Sequence, residues 1–327
     1  MSQNDRSIAG EDVVLESQTA TFVQSTIYSE LLNPLDSELL HFGKWLKACS
    51  ASNFEKPFDA LYLLPLSVVL LENRYQNDLI PKAVVTPLLQ IAGKNLLRLC
   101  EQRNYLDSGL PLLLNSQESL LPDANFWVNH PKTPLLDSSF LALTAKALEV
   151  LIKQGNEFAL DLEELSIWNE LLPYSMNEYL WNEEYGLYLP LNSISGQQIE
   201  NDSIAGLLPL LGSIADQEQA EAMYRCLAMN FVHPLHFYFP TACTEPGHQA
   251  KTLDLFINYL LYQGLLRYEF TATAVALKKQ TLDDEHPVLS RFSLREMTLP
   301  QSTENNCAQL IQEAFRTYPS IHFSNRD

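Results

Sequence analysis

The sequence predicts an all-α fold in which paired helices stack around a centre, as an α/α toroid or solenoid. Apolar residues recur at intervals of three and four along most of the chain, which is the period of a buried helix face. Nine or ten such segments follow one another, alternately more apolar and more amphipathic. Glycine is scarce: 11 of 327 residues is about half the usual ~7%. Folds rich in tight turns need more residues that tolerate positive φ, so this count favours helices.

Start and stop signals place the helices of the first half. Asp36 is a candidate cap for the first one, and residues 58–73 are apolar enough for an inner helix. Pro81 can open a long helix through Leu97, because proline is favoured at a helix start. Asp137 precedes another helix, whose end we place at Gly155, a residue type common just past the last turn.

The second half continues the same pattern. Helices are predicted over residues 163–172, 173–180 and 203–214, after Asp254, and from Thr271 to Gln280. Asp216 and Gln219 have the spacing of a capping box, which predicts one more helix start. Two long loops, about 107–136 and 181–202, interrupt the helices. Long ordered loops on a helical frame commonly carry function, so we look for the site there.

The net charge limits the classes of partner that we expect, and the cysteines indicate the redox state. With 40 acidic and 21 basic residues the formal net charge is -19, which disfavours nucleic acid or an anionic membrane surface as partner. The longest apolar stretch, residues 61–71, is far shorter than the ~20 residues a bilayer needs. The N-terminus lacks the pattern of a signal peptide, and a cytoplasmic location is expected. An odd number of well-separated cysteines predicts reduced, buried thiols. They are Cys49, Cys100, Cys226, Cys243 and Cys307.

No sequence motif indicates a cofactor or a metal, so none is expected. His233 and His236 are three residues apart, but Pro234 between them favours a loop over a ligand pair on a helix. We expect a flexible arm over residues 1–24, a single domain over 25–318 and a tail over 319–327.

Four segments of the second half, taken in order, resemble a known group of proteins. They are residues 180–188 (LWNEEYGLY), 201–220 (NDSIAGLLPLLGSIADQEQA), 239–247 (FPTACTEPG) and 256–268 (FINYLLYQGLLRY). This order is similar to the catalytic barrel of the six-hairpin (α/α)6 glycosidases: glycoside hydrolase family 63, the mannosylglycerate hydrolases and, more distantly, the trehalases. The resemblance covers roughly residues 55–285 and implies an (α/α)6-type toroid. It accounts for four to five of six hairpins, so the N-terminal helices have diverged or the toroid is incomplete.

The resemblance also locates the catalytic positions. In this group a loop of the type E-S-G-x-D-(D/N)-S-P-x-W supplies the general acid, and residues 118–127 (ESLLPDANFW) are its counterpart. Pro122 occupies the acid position, and a carboxyl group follows one place later, at Asp123. The aromatic floor of the sugar subsite, R-G-x-x-W in the family, is replaced by residues 250–254 (AKTLD). Glu296 and Glu285 are the candidate bases near the C-terminus.

The resemblance therefore implies Asp123 as acid and Glu296, or Glu285, as base. The substrate-binding candidates are Glu118, Trp127, Trp181, Asn258 and Tyr259. Inversion needs two carboxyl groups about 6.5–9.5 Å apart, and proline transfers no proton. We therefore expect a glycosidase-like protein with impaired catalysis that binds a carbohydrate, a metabolite or a protein through a central cleft. The alternatives are an active inverting α-glycosidase with displaced carboxylates, acting on a glucoside or mannoside, and a plain helical scaffold.

Three of these candidates also have ordinary structural interpretations. Glu118 and Asp123 fit a solvated loop or a cap as well as a site. Trp127 lies in a polar loop, where an indole forms either a stacking surface for a sugar or a packing contact beneath the loop.

Overall fold

A computed structural model describes residues 40–76, 80–122, 124–158, 160, 162–200, 203–231 and 255–282. The α-helices in these ranges are α1 (Leu40–Ala51), α2 (Leu63–Gln76), α3 (Lys82–Gln102), α4 (Asn125–Asn129), α5 (Ser138–Phe158), α6 (Leu162–Tyr179), α7 (Gln217–Cys226), α8 (Leu255–Arg267) and α9 (Thr271–Leu282). The 3-10 helices are Tyr105–Asp107, Ser116–Glu118 and Ile204–Leu211, and a π-helix spans Leu227–Phe231. The strands are β1 (Leu135–Leu136), β2 (Trp181–Asn182), β3 (Leu187–Tyr188), β4 (Leu191–Asn192) and β5 (Gln197–Gln198). The all-α prediction is confirmed.

The helices form two layers. The inner row consists of α2, α5, the 3-10 helix Ile204–Leu211 (here the central 3-10 helix) and α8, each packed against the next. An outer helix packs behind three members of this row: α3 behind α2, α6 behind α5 and α9 behind α8. All eight residues of the central 3-10 helix are buried, as expected for an element covered on every side. The segments of the inner row are thus more apolar than those of the outer row. Amphipathic character does not separate the rows, because the inner helix α5 is amphipathic and the outer helix α9 is not.

The members of the inner row run in the same direction. At the start of α5, the Ser138 hydroxyl donates to the carbonyl of Ala205 at the start of the central 3-10 helix, 3.2 Å away. At the end of α8, Arg267 donates to the Ser213 hydroxyl, just past the other end of that helix. The long loops precede the inner helices, so they gather at one end of the row, called here the loop end. The opposite end is the far end.

Gly264 lets two inner elements approach closely. A Cβ at this position would lie 2.8 Å from Leu210 Cβ and 2.9 Å from the Leu210 carbonyl carbon, closer than real Cβ atoms come. Any side chain would force α8 away from the central 3-10 helix. This is one of the few glycines of the chain, and its role is packing rather than turning.

The structure corrects two predicted helix ends. Gly155 does not end α5, which continues to Phe158. It lies against Leu162 at the start of α6, where a Cβ would collide, so the glycine serves close helix packing. Pro173 does not separate two helices either, since α6 runs through it from Leu162 to Tyr179. Buried side chains on both sides of the proline, among them Trp168 and Met176, hold the two halves on one core and offset the ~3 kcal/mol that an internal proline costs.

The other predicted helix boundaries agree with the structure or differ from it by a few residues. The capping box of Asp216 and Gln219 is present, with both of its hydrogen bonds. Helix α2 begins at Leu63 rather than 58, and the 203–214 segment is a 3-10 helix opened by the Ser203 side chain. Asp36 and Asp254 lie outside the described residues.

The described cysteines are buried free thiols, as predicted: Cys49, Cys100 and Cys226. Burial raises the pKa of the Cys49 thiol to about 12, so this thiol stays protonated at neutral pH. Cys243 and Cys307 are outside the described ranges. Within those ranges, none of the helices combines the length and the apolar character that crossing a bilayer requires.

Candidate functional site

The two long loops meet at the loop end in a small sheet. Strand β1, from the first loop, pairs antiparallel with β4 of the second loop, with Leu135 opposite Asn192. Strand β4 then pairs with β5. Leu113 adds a further bridge to Leu135, with hydrogen bonds of 2.9 and 3.0 Å between the two backbones. The segments that the sequence singles out as functional are therefore joined to one another.

A buried ion pair holds the first loop. Glu118 is fully buried and accepts two hydrogen bonds from the Arg103 guanidinium, at 2.7 and 2.8 Å. Its carboxylate also accepts from the backbone N–H groups of Phe58, at 2.7 Å, and Leu114, at 2.5 Å. Carboxylates buried this deeply are stable only when paired and hydrogen-bonded, and this one is both.

Arg103 is satisfied in the same way. Its remaining donors reach the backbone carbonyls of Phe54, Lys56 and Leu112, the last two at 2.8 and 3.0 Å. Together with Glu118 it therefore ties the segment before α2 to the start of the first loop. Because a guanidinium presents its donors in a fixed fork, the pair fixes orientation as well as position.

A second carboxylate holds the other side of the loop. Asp137 is fully buried, and its Oδ2 accepts from the Ser119 hydroxyl at 2.5 Å and the Trp127 indole N–H at 2.8 Å. Its Oδ1 accepts from the backbone N–H and the hydroxyl of Ser139, at 2.9 and 2.6 Å, and so caps α5. One side chain thus fixes both ends of the 119–127 loop to the first turn of an inner helix.

Glu118 and Trp127 are therefore placed as supports of the loop. Trp127 is fully buried, with its ring 6.0 Å from that of Phe126, which matches the packing use of an indole rather than an exposed stacking surface. The carboxylates of Glu118 and Asp137 are saturated with donors, so neither has a lone pair available to take a proton from water or a ligand. Sequence reasoning identified Asp137 only as a helix start and missed Arg103, for which no motif gave a signal.

Trp181 presents the more accessible ring. It lies in the β2–β3 hairpin, is half-buried, and packs on Tyr188 with ring centroids 5.0 Å apart. The Tyr188 hydroxyl donates to Asn177 at 2.6 Å, and burial raises the pKa of this phenol. Gly186 forms the hairpin turn with a φ of +61°, a conformation that suits glycine. The hairpin thus holds the Trp181 ring in a fixed position with one face partly exposed.

Asn258 and Tyr259 lie near the start of α8, each 2% exposed. Asn258 is nine residues before Arg267, or roughly 13 Å along the helix at 1.5 Å per residue, which puts it towards the loop end. Its side-chain oxygen Oδ1 accepts no hydrogen bond from any of the described residues. A buried acceptor without a donor costs about 1–3 kcal/mol, so this atom is unlike the saturated carboxylates of the loop.

The residues implied as acid and base, Asp123, Glu296 and Glu285, lie outside the described residues. The part of the chain that the structure describes contains no group of three or more histidine, cysteine, aspartate or glutamate side chains placed to hold a metal ion.

Comparison with known proteins supports the resemblance. Residues 122–250 match the sequence model of the mannosylglycerate hydrolase MGH1-like glycoside hydrolase domain. None of the curated proteins matches the sequence. An uncharacterized conserved protein from Thermus thermophilus has a similar structure, with a TM-score of 0.67 at 14% identity over 90% of this chain and 91% of that one.

Two solved structures of a GH63 mannosylglycerate hydrolase from Thermus thermophilus are also similar. The complex with glucose has a TM-score of 0.62 at 16% identity, over 76% of this chain and 74% of that one. The complex with Tris has a TM-score of 0.66 at 14% identity, over 89% and 92%. The resemblance to the six-hairpin glycosidases is thereby confirmed, and the chain has an (α/α)6-type glycosidase fold.

Proposed function

We propose that this chain is a glycoside hydrolase-like protein with impaired catalysis, which binds a carbohydrate or a related polyhydroxylated metabolite in a cleft at the loop end. One observation carries the proposal: the acidic side chains of the described loop are saturated, whereas Asn258 Oδ1 is buried and unsatisfied. The scaffold of the loop is intact, while Pro122 stands where the resembled family has its acid.

An unsatisfied buried acceptor suits a ligand rich in hydroxyl groups. A sugar hydroxyl that donates to Asn258 Oδ1 recovers the cost of leaving that oxygen without a donor. The partly exposed face of Trp181 offers the apolar contact that sugar rings make with aromatic side chains. Neither contact requires a proton transfer, which fits binding better than hydrolysis.

The similar structures suggest which ligands to test. The mannosylglycerate hydrolase from Thermus thermophilus is described in complex with glucose, with Tris, and with Tris and D-glycerate. We propose that glucose, mannose, D-glycerate and mannosylglycerate form a suitable panel for this chain. Tris is left out of the buffer, because an amino-polyol competes for a polyol site.

Calorimetric titration of the full chain with this panel tests the proposal. We expect saturable binding of at least one sugar, and a Kd that weakens about 10-fold in Asn258→Leu, as loss of one hydrogen bond predicts. Asn129→Leu, the same change at an exposed residue at the end of α4, keeps the wild-type Kd. Absence of binding to the whole panel contradicts the carbohydrate function, and an unchanged Kd in Asn258→Leu contradicts the assignment of this residue.

The alternative function is an active inverting α-glycosidase. It is favoured by the two-sided attachment of the 119–127 loop, which holds the acid in the resembled family and here carries Asp123. Release of sugar from α-glucosides, α-mannosides or mannosylglycerate, abolished in Asp123→Asn, establishes this alternative and overturns impairment. Binding of a sugar without its release from a glycoside supports the proposed function. If the chain neither binds nor releases a sugar, the remaining interpretation is a plain helical scaffold.

A further inference from the structure

The side chain of Gln198, in strand β5, joins two parts of the second long loop. Its amide nitrogen donates to the backbone carbonyls of Tyr179 at 3.0 Å and Trp181 at 3.3 Å. Its amide oxygen accepts from the Asn182 side chain at 2.8 Å. A single side chain thus makes three hydrogen bonds with the residues at which α6 ends and the β2–β3 hairpin begins.

The strand that carries Gln198 is fixed to the rest of the loop end. Strand β5 pairs with β4, and β4 pairs with β1. Strand β1 ends at Leu136, directly before Asp137, whose carboxylate holds the 119–127 loop. The β2–β3 hairpin belongs to a separate two-stranded sheet. Gln198 therefore ties this hairpin to the framework that also holds the first loop.

A second contact between these two parts lies at the surface. Tyr185, in the turn of the hairpin, donates a hydrogen bond from its hydroxyl to Glu200, which follows β5. Both side chains are exposed, so water competes for this hydrogen bond. Gln198 is half-buried and makes three hydrogen bonds, so it is the stronger of the two links.

An amide side chain matches all the partners of Gln198. Asn182 Oδ1 accepts from the backbone N–H of Tyr185 at 3.1 Å, which turns the Asn182 NH₂ group towards Gln198. The position therefore needs an acceptor for Asn182 and a donor for the two backbone carbonyls. An ionised glutamate supplies the acceptor but no donor, and methionine supplies neither.

These contacts determine where the Trp181 ring lies. Gln198 holds the backbone carbonyl of Trp181, and Tyr188 supports the ring, with 5.0 Å between the ring centroids. The ring is half-buried, so part of its surface stays open to a ligand. Both polar atoms of the Gln198 amide are bonded to the protein, so its effect on a ligand passes through Trp181.

We propose that Gln198 is a positioning residue of the carbohydrate site, which sets the Trp181 ring as a platform for a sugar ring. The inference rests on the carbohydrate function proposed above, and it narrows the ligand. A pyranose presents an apolar face of C–H groups and uses the platform, whereas an open-chain polar ligand such as D-glycerate does not. Gln198 thus determines the affinity for cyclic sugars.

Quenching of tryptophan fluorescence by acrylamide tests the positioning without a ligand. The chain has four tryptophans, and the three besides Trp181 are at most 8% exposed, so Trp181 dominates the quenchable signal. Gln198→Met keeps the length of the side chain and loses its hydrogen bonds, so we expect a larger quenching constant as the ring is released. Gln197→Met, at the exposed neighbour on the opposite face of β5, keeps the wild-type value.

Titration of the full chain with glucose and mannose tests the link to the ligand. We expect Gln198→Met to weaken the Kd of the sugar that binds by about 2- to 10-fold, as loss of one aromatic contact predicts, and Gln197→Met to leave it unchanged. Gln198→Glu should weaken it at least as much, because its carboxylate faces two carbonyl oxygens. In a Trp181→Leu background, Gln198→Met should change the Kd no further, because Gln198 acts through Trp181.

Several results would overturn the proposal. They are unchanged quenching in Gln198→Met, wild-type sugar affinity in Gln198→Met or Gln198→Glu, additive losses in the double variant, and an equal loss of affinity for D-glycerate. Failure of the wild-type chain to bind either sugar contradicts the carbohydrate function instead. The quenching result is independent of that failure, since it decides without a ligand whether Gln198 positions Trp181.

Discussion

The two carboxylates that hold the 119–127 loop and the amide near the start of α8 are all buried, but they differ in how their hydrogen-bonding groups are satisfied. Glu118 and Asp137 are fully buried and each is surrounded by donors from the chain itself. Asn258 is almost as buried, and its Oδ1 lacks a donor among the described residues. A satisfied buried group stabilises a unique structure, whereas an unsatisfied one destabilises it and persists for another reason. The difference separates the side chains that hold the loop from the one that we propose binds a ligand.

The largest effect is expected at the ion pair of the loop. Arg103→Met leaves the Glu118 charge buried without its main partner, which predicts a loss of about 3–5 kcal/mol in the free energy of unfolding. Urea unfolding followed by circular dichroism measures it. Arg225→Met, the same change at an exposed residue of α7, is expected to cost less than about 0.5 kcal/mol.

The double variant Arg103→Met, Glu118→Leu provides the stricter comparison. It removes both charges, so its loss should be smaller than the sum of the two single losses. Additive losses would show that the two side chains act separately, against the view that one ion pair holds the loop.

A smaller loss is expected at the other support. Asp137→Asn replaces one acceptor oxygen by a donor that faces the Ser119 hydroxyl or the Trp127 indole, which predicts a loss of about 1.5–3 kcal/mol. Asp216→Asn, at the cap of α7, serves as the matched control, because asparagine caps a helix about as well as aspartate. A change in Trp127 fluorescence should accompany the Asp137 variant alone, and equal losses in the two variants would contradict the special role of Asp137.

The packing of α8 gives an effect of similar or lower size. Gly264→Ala forces a methyl group against the Leu210 backbone and predicts a loss of about 1–3 kcal/mol. Gly43→Ala, in α1, meets only Leu88 Cδ2 at 3.7 Å and should be neutral or stabilising by up to about 1 kcal/mol. Thermal unfolding of the two variants compares them directly, and a tolerated Gly264→Ala would show that α8 and the central 3-10 helix can separate without cost.

Periodicity and cap signals predicted most of the helices, because those signals are local. The errors at Gly155 and Pro173 have a common cause. Both residues usually end helices, but here the helices continue through them because tertiary packing, against Leu162 and around Trp168, stabilises the helical conformation. The motif order predicted the glycosidase fold, and it located the loop that Glu118 and Trp127 support. It did not predict that the polar groups of these two side chains are hydrogen-bonded within the protein. Those hydrogen bonds are made with Arg103 and Asp137, which belong to separate elements of the fold.

The smallest effect on stability is expected at Asn258. At the other positions a large loss of stability supports the proposed role, whereas here a small loss does. Asn258→Leu replaces an amide whose buried Oδ1 is unsatisfied by an apolar group of similar volume, so the free energy of unfolding without ligand should stay within about 1 kcal/mol or rise. Asn95 is the matched control: it is also 2% exposed, but it donates to the Leu46 carbonyl at 2.9 Å and accepts from Ser50 at 3.0 Å. Asn95→Leu should therefore cost about 1–3 kcal/mol. Equal losses in the two variants would mean that Asn258 is part of the structural network, and its place in the proposed carbohydrate site would be lost.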